Sequence, residues 1–323
     1  MKLLAVVLLL LPLSGCLAEV VKDFTQNCPL NRPQFFITVN NTVTPPTVFS
    51  DNNNKDRYKQ ICQTLNNKAE FATLYDTVNK IPVYSAYRFE GYEQCERKSG
   101  DWYIEPQLDY PHPGRRNMEL ERNTEIHPNQ SLNGDYKISG FHRGHLAPVY
   151  QANSQSCAFA TFTLTNAAPQ NPSFNSGKWR VTERNMAKIL IQYCTGLQVY
   201  VITGVVPGTT TMNNRVRVPS HFWTAFCCLN NNKAVHSSGY IGENRQDAIV
   251  ERMRVNDLEL KLTDLYTNQL PHTHRFILFG GTCYTENQKI VQDRRNLRPI
   301  RRHSKKNRKC QKGLSKVKTR REK

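Results

Sequence analysis

Several things are scarce in this sequence, and each scarcity removes a class of protein. After the first twenty residues no stretch is apolar enough to cross a bilayer, which takes about 20 apolar residues in a row. No two cysteines stand in a C-x-x-C arrangement, so the usual spacing of a structural zinc site is missing. No internal repeat is found, which sets aside solenoids and propellers. Acid is scarcest at the end: residues 294–323 hold one, Glu322, against 15 Lys and Arg. That block carries +14 of the formal +18, and such blocks are usually disordered and bind polyanions. The plain alternative is a solvated tail with no fixed partner.

What is present is enough for a core. The chain has 323 residues, 38% hydrophobic, with 14 Phe and 14 Tyr, room for one large domain or two ordinary ones. Residues 1–18 read as a signal peptide cut after Ala18: Lys2, an apolar run Leu3 to Leu13, then small residues. Leu13-Ser14-Gly15-Cys16 also fits a bacterial lipoprotein box, but the scattered cysteines and the sequons at Asn40 and Asn129 favour secretion. With Cys16 removed, nine cysteines remain of ten, so one is unpaired, and Cys310 in the tail is expected to be it. The expected organisation is a signal over 1–18, one domain over 19–287 and a basic tail over 288–323, with no membrane span and an extracellular location.

Periodicity gives the elements in outline. Residues 19–48 read as irregular with one strand, and Tyr58 to Leu65 as a helix. Phe71 to Tyr75 and Ile81 to Tyr87 are β-branched and aromatic runs that predict a hairpin. Gly91 to Pro128 is a long polar connection, of the kind that is functional or held by a disulfide at Cys95. Cys157 to Leu164 alternates like a strand. Trp179, Met186, Leu190 and Tyr193 recur at helical spacing over Lys178 to Tyr193. Leu197 to Ile202 and His221 to Leu229 predict strands, Gln246 to Leu265 a helix with Ile249, Met253 and Leu260 on one face, and Phe276 to Phe279 a closing strand.

The stretch from Phe141 to Leu190 carries the chemistry. Cleaving a phosphodiester needs a base for water, a cation for the developing charge, and groups to hold both. His145, Asn175 and Arg143 are residue types suited to those tasks, and Gly144 between two of them predicts a sharp turn.

His142-Arg143-Gly144-His145 with Pro148 is followed by Asn166-Ala167-Ala168-Pro169-Gln170, by Asn175-Ser176-Gly177-Lys178-Trp179 and by Glu183. This set, with Thr203-Gly204 and Pro219 to Trp223, resembles the DNA/RNA non-specific endonuclease family over roughly Ile81 to Phe279. The resemblance implies an α+β fold with a largely antiparallel central sheet, flanking helices and a ββα-metal finger. It implies His145 as general base and Asn175 as the protein ligand of Mg²⁺, with Mn²⁺ a substitute. A competing reading makes Asn175 a helix N-cap. Glu183 is implied as a water-mediated partner of the metal, or else half of a buried salt bridge. Asn166 would bond the phosphate or orient the base, unless it is a turn residue. Arg143 would stabilise transition-state charge, unless it is ion-paired structurally. The family's leading Asp is His142 here, its upstream Arg could be Arg88, Arg97, Arg115 or Arg116, and its helical Arg would fall at Ala187. The function implied is secreted, metal-dependent hydrolysis of DNA or RNA with little sequence preference. The alternative is a weak or inactive nuclease fold that binds nucleic acid or other polyanions.

Overall fold

The alternating runs pair into one large sheet. The computed structural model describes residues 20–28, 35–47, 56–112, 114–122, 124–268 and 275–284. In chain order the strands are β1 (Val20–Val21), β2 (Ile37–Val39), β3 (Thr42–Thr44), β4 (Tyr58–Leu65), β5 (Lys68–Asp76), β6 (Ile81–Arg88), β7 (Tyr103–Ile104) and β8 (Glu119–Leu120). They continue as β9 (His142–His145), β10 (Ala167–Gln170), β11 (Gln198–Met212), β12 (Val216–Asn230), β13 (Lys233–Glu243) and β14 (Val250–Met253). Eight of them form the main sheet in the order β1-β4-β5-β6-β11-β12-β13-β14, every neighbouring pair antiparallel. The fold is α+β with an antiparallel central sheet.

The helices are α1 (Phe24–Asn27), α2 (Asn133–Tyr136), α3 (Gln155–Ala160), α4 (Pro172–Phe174), α5 (Arg180–Cys194) and α6 (Val255–Thr267). The period of two decides which covers which face. Along β12, Trp223, Ala225, Cys227 and Leu229 pack in one cluster with Val255, Leu258, Leu262 and Tyr266 of α6. Phe226 and Cys228 pack on the other face with Met186, Ala187 and Leu190 of α5. Adjacent cysteines therefore bridge to opposite sides, Cys228 to Cys194 and Cys227 to Cys283. Cys28 bonds Cys62 on β4, and Cys95 is also disulfide-bonded.

Five expected segments differ from the structure. Tyr58 to Leu65 is strand β4, because pairing with β5 and the bond to Cys28 outweigh its polar composition. Cys157 begins no strand: Ser154 caps helix α3, its hydroxyl accepting from Cys157 N at 3.2 Å. Gln246 to Leu265 splits into β14 and α6, whose buried stripe is Val255, Leu258, Leu262 and Tyr266, while Ile249 and Leu260 are exposed. Phe276, Leu278 and Phe279 are buried under α6 without joining the main sheet, Leu278 N donating to Glu259 Oε1 at 2.8 Å. The residues before β4 hold β1, β2 and β3 rather than one strand. Among the described residues the free cysteine is Cys157, whose thiol is pushed up to about 12 by burial, which disfavours the thiolate. Cys310, like the signal and the basic tail, lies outside the described residues.

Candidate active site

Strands β9 and β10 pair antiparallel, placing His145 opposite Ala167, Gly144 opposite Ala168 and Arg143 opposite Pro169. Gly144 is not a turn residue: it lies within β9, and its φ is not positive. Its glycine answers to close approach, since a Cβ there would stand 2.6 Å from Cβ of the fully buried Gln170. Gly144→Ala should therefore cost about 1–3 kcal/mol of stability by overpacking. Urea unfolding measures it, and an unchanged midpoint would show that Gln170 can move aside.

The His145 ring sits between Trp102, at 4.5 Å between centroids, and Phe162, edge-on at 4.9 Å. Its Nε2 is buried without a hydrogen-bond partner among the described residues. Desolvation, with Arg97 adding to it, pulls the imidazole pKa down to about 3. Burial thus favours the neutral form of this imidazole, the form in which a histidine can accept a proton.

Asparagine roles divide in a way that spacing alone does not show. Asn171 is the cap: its Oδ1 accepts from Ser173 N at 3.0 Å and Phe174 N at 3.2 Å. Asn175 opens a π turn over Asn175–Trp179 that is kinked at Gly177 (φ −101°, ψ −107°) and leads into α5. Its Nδ2 lies 3.4 Å from His142 Nδ1, and its Oδ1 accepts no hydrogen bond among the described residues. Asn166, by contrast, is fully buried. Its Oδ1 accepts from Ala147 N and Ser85 Oγ, each at 2.9 Å, and its Nδ2 donates to the carbonyls of Ala147 and Thr161, each at 3.0 Å. Nothing is left over for a phosphate. Asn166 anchors the backbone that follows His145 and does not reach the cleft.

His142, Arg143, His145, Asn175 and Glu183 line one cleft of about 900 Å³. Glu183 is half-buried, makes no ion pair among the described residues, and has its carboxyl pushed up to about 8 by burial, with Arg97 and the Trp179 indole pulling it back. Arg143 is not ion-paired either. Its guanidinium lies over Trp102 and Tyr136, 5.5 and 5.7 Å from the ring centres, and Nη2 donates to the Asn133 carbonyl at 3.4 Å. Of the four upstream arginines, Arg97 lines the cleft, whereas Arg115 is paired with Glu119 and Glu125. Arg180, Arg184 and Lys137 also line it, leaving five cations against one acid, a surface suited to a polyanion. Trp102, Tyr136, Lys137 and Arg180 carry no motif in the sequence; the first reaches the site from the long connection before β9.

The residues fit a hard cation. No group of three His, Cys, Asp or Glu gathers among the described residues, which argues against a zinc-type cage there. A single amide oxygen with no hydrogen bond, facing a cleft open to water, suits Mg²⁺, which keeps most of its waters.

Residues 50–273 match the family described as DNA/RNA non-specific endonuclease. Human Endonuclease domain-containing 1 protein is 32% identical over 266 residues, covering 76% of this chain and 51% of that protein. Human mitochondrial Endonuclease G is 33% identical over 124 residues, 34% of this chain and 41% of that protein. A chain of the solved EndoG/EndoGI complex matches with a TM-score of 0.44 and 22% identity, over 60% of this chain and 82% of that one. The chain thus spans about half the length of the first curated relatives it matches. By the length of the family match and the identity to those relatives, this chain belongs to the DNA/RNA non-specific endonuclease family.

Proposed function

We propose that this protein is a secreted endonuclease that hydrolyses DNA or RNA with Mg²⁺ and little sequence preference. One observation carries the reading most: a buried imidazole and an amide oxygen without a hydrogen bond among the described residues share the wall of one strongly cationic cleft. His145 takes the proton of the attacking water. Arg143, stacked on two rings, offers its charge to the phosphate as negative charge builds. Asn166 positions His145 through the backbone of Leu146 and Ala147. Asn175 would hold Mg²⁺, with Glu183 acting through a metal-bound water, and the ion would supply Lewis-acid stabilisation of the phosphate oxygens. Cations that face phosphates do not read bases, hence the lack of sequence preference. The signal and the basic tail support secretion and polyanion affinity. Asn40 is the better glycosylation acceptor: it is exposed at a hairpin tip, whereas Asn129 Nδ2 donates to the Leu108 carbonyl.

The test is digestion of supercoiled plasmid and of RNA by purified protein, with Mg²⁺ and with EDTA. Mg²⁺-dependent nicking is expected. Retardation of the nucleic acid without any cutting would favour the second reading, a polyanion-binding protein on a nuclease fold, for which His142 in place of Asp is the specific motive.

Glu183 gives the pH dependence. A carboxyl raised to about 8 is mostly protonated at neutral pH and becomes the useful carboxylate only above that. kcat/KM should therefore rise with pH through about 8, and added Mg²⁺ should move that limb to lower pH by favouring the charged form. Glu183→Gln should be slow and flat over the same range. A wild-type profile already level at pH 6 would remove Glu183 from the rate.

His142 faces Asn175 rather than Arg143 or His145, so an acid at this position is expected to act on the ion. His142→Asp should lower the Mg²⁺ concentration for half-maximal activity and raise the rate, because a carboxylate close to the Asn175 amide attracts a divalent cation. A Mg²⁺ titration of both forms decides it; an unchanged midpoint would show that position 142 does not feel the ion.

A further inference from the structure

Two tyrosines near the cleft take no part in the chemistry above. Tyr92 and Tyr150 are 37% and 38% exposed and stack on each other, with ring centres 5.0 Å apart and planes 27° apart. Tyr150 lines the cleft together with Arg180 and Arg184. Two other tyrosines are as exposed, Tyr110 and Tyr284, but neither lines the cleft.

The stacked pair is held in place from both sides. Tyr150 sits in a 3₁₀ turn, Val149–Gln151. In that turn Gln151 Oε1 accepts from the Tyr87 hydroxyl at 2.8 Å, and Gln151 Nε2 donates to the Glu183 carbonyl at 3.2 Å. Glu93 N donates to the Ala152 carbonyl at 3.0 Å, joining the segment that carries Tyr92 to the one that carries Tyr150. A rigid ring costs little entropy when a ligand lands on it.

We propose that Tyr150, braced by Tyr92, is a stacking platform for an unpaired base whose phosphate is met by Arg184, so that the cleft prefers single-stranded nucleic acid. This rests on the nucleic-acid reading of the cleft. In a duplex every base face is covered by its neighbours, so a duplex offers this ring only its backbone. In a single strand a base can leave its neighbour and lie on the tyrosine, a contact open to every base because each has a π face. Sequence tolerance is thereby kept while strandedness is read. The Tyr150 phenol, pushed up to about 12, stays neutral and does not repel the backbone.

The experiment uses the full chain in EDTA, where binding is read without cleavage. Fluorescence anisotropy follows three labelled probes: a thymidine single strand, the same strand with abasic sites, and a duplex of equal length. The wild-type protein should bind the thymidine strand more tightly than the abasic one. Tyr150→Ala should weaken the thymidine strand about tenfold and leave the abasic strand nearly unmoved, and Tyr150→Phe should restore the difference. Equal weakening on both strands, or a wild type that does not tell them apart, overturns the platform. Under Mg²⁺ the single-strand to duplex ratio of kcat/KM should fall for Tyr150→Ala. A wild type that cuts neither substrate would overturn the nuclease reading, and the binding comparison would still decide the platform.

Discussion

His145→Ala should lower the rate of phosphodiester cleavage about 10²–10⁴-fold, the usual cost of removing a general base, with the fold unharmed. Both halves follow from the site. The ring is held between Trp102 and Phe162 and kept neutral by burial and by Arg97, so its proton affinity is set by the pocket and alanine supplies no substitute. Its buried Nε2 has no hydrogen-bond partner among the described residues, so removing it leaves none of their polar groups newly unpaired. The backbone that presents it is held instead by Asn166 and by the pairing of β9 with β10. Steady-state kinetics on plasmid together with a thermal melt makes the test. Cleavage near the wild-type rate would end the assignment of His145 as base; a collapsed melt would make it a packing residue.

Asn175→Ala should cost about 10²-fold in rate at a fixed Mg²⁺ concentration, and more Mg²⁺ should recover part of it, while stability stays the same. Asn171→Ala should do the reverse, losing about 1 kcal/mol of stability with catalysis largely kept, because it is Asn171 that caps the backbone N–H groups. The pair separates the two readings of an asparagine before a helix, which are otherwise hard to distinguish. Should Asn175→Ala melt early with an unaltered Mg²⁺ dependence, Asn175 is a structural turn residue and the ion is held elsewhere.

Much of the fold was legible because its signals are local. The β-branched runs at Phe71 to Tyr75, Ile81 to Tyr87 and Leu197 to Ile202 became strands β5, β6 and β11. The helical stripe of Met186 and Leu190 became the buried face of α5. The misread segments fail for a physical reason. Val250 to Met253 and Tyr58 to Leu65 are strands because a partner strand is there to receive them, and no window of sequence contains that partner. Ser154 is by contrast a local signal, a cap that turns Cys157 into helix.

By itself, the sequence determined which residue types gather in the candidate site: an Arg-Gly-His stretch, an Asn before a helix, and a Glu on that helix. It could do so because these groups lie within one continuous stretch, where a hairpin and a helix bring them together by chain geometry. Only the tertiary structure decided how they divide the work. Asn166 went into the core because four partners from Ser85, Ala147 and Thr161 converge on its amide. Asn171 took the cap and left the Asn175 oxygen without a hydrogen bond. Among four upstream arginines Arg97 lines the cleft, and Trp102 packs against a histidine 43 positions away in the chain. Charge and desolvation act through space over a few ångströms, and distance through space is what a linear sequence does not contain.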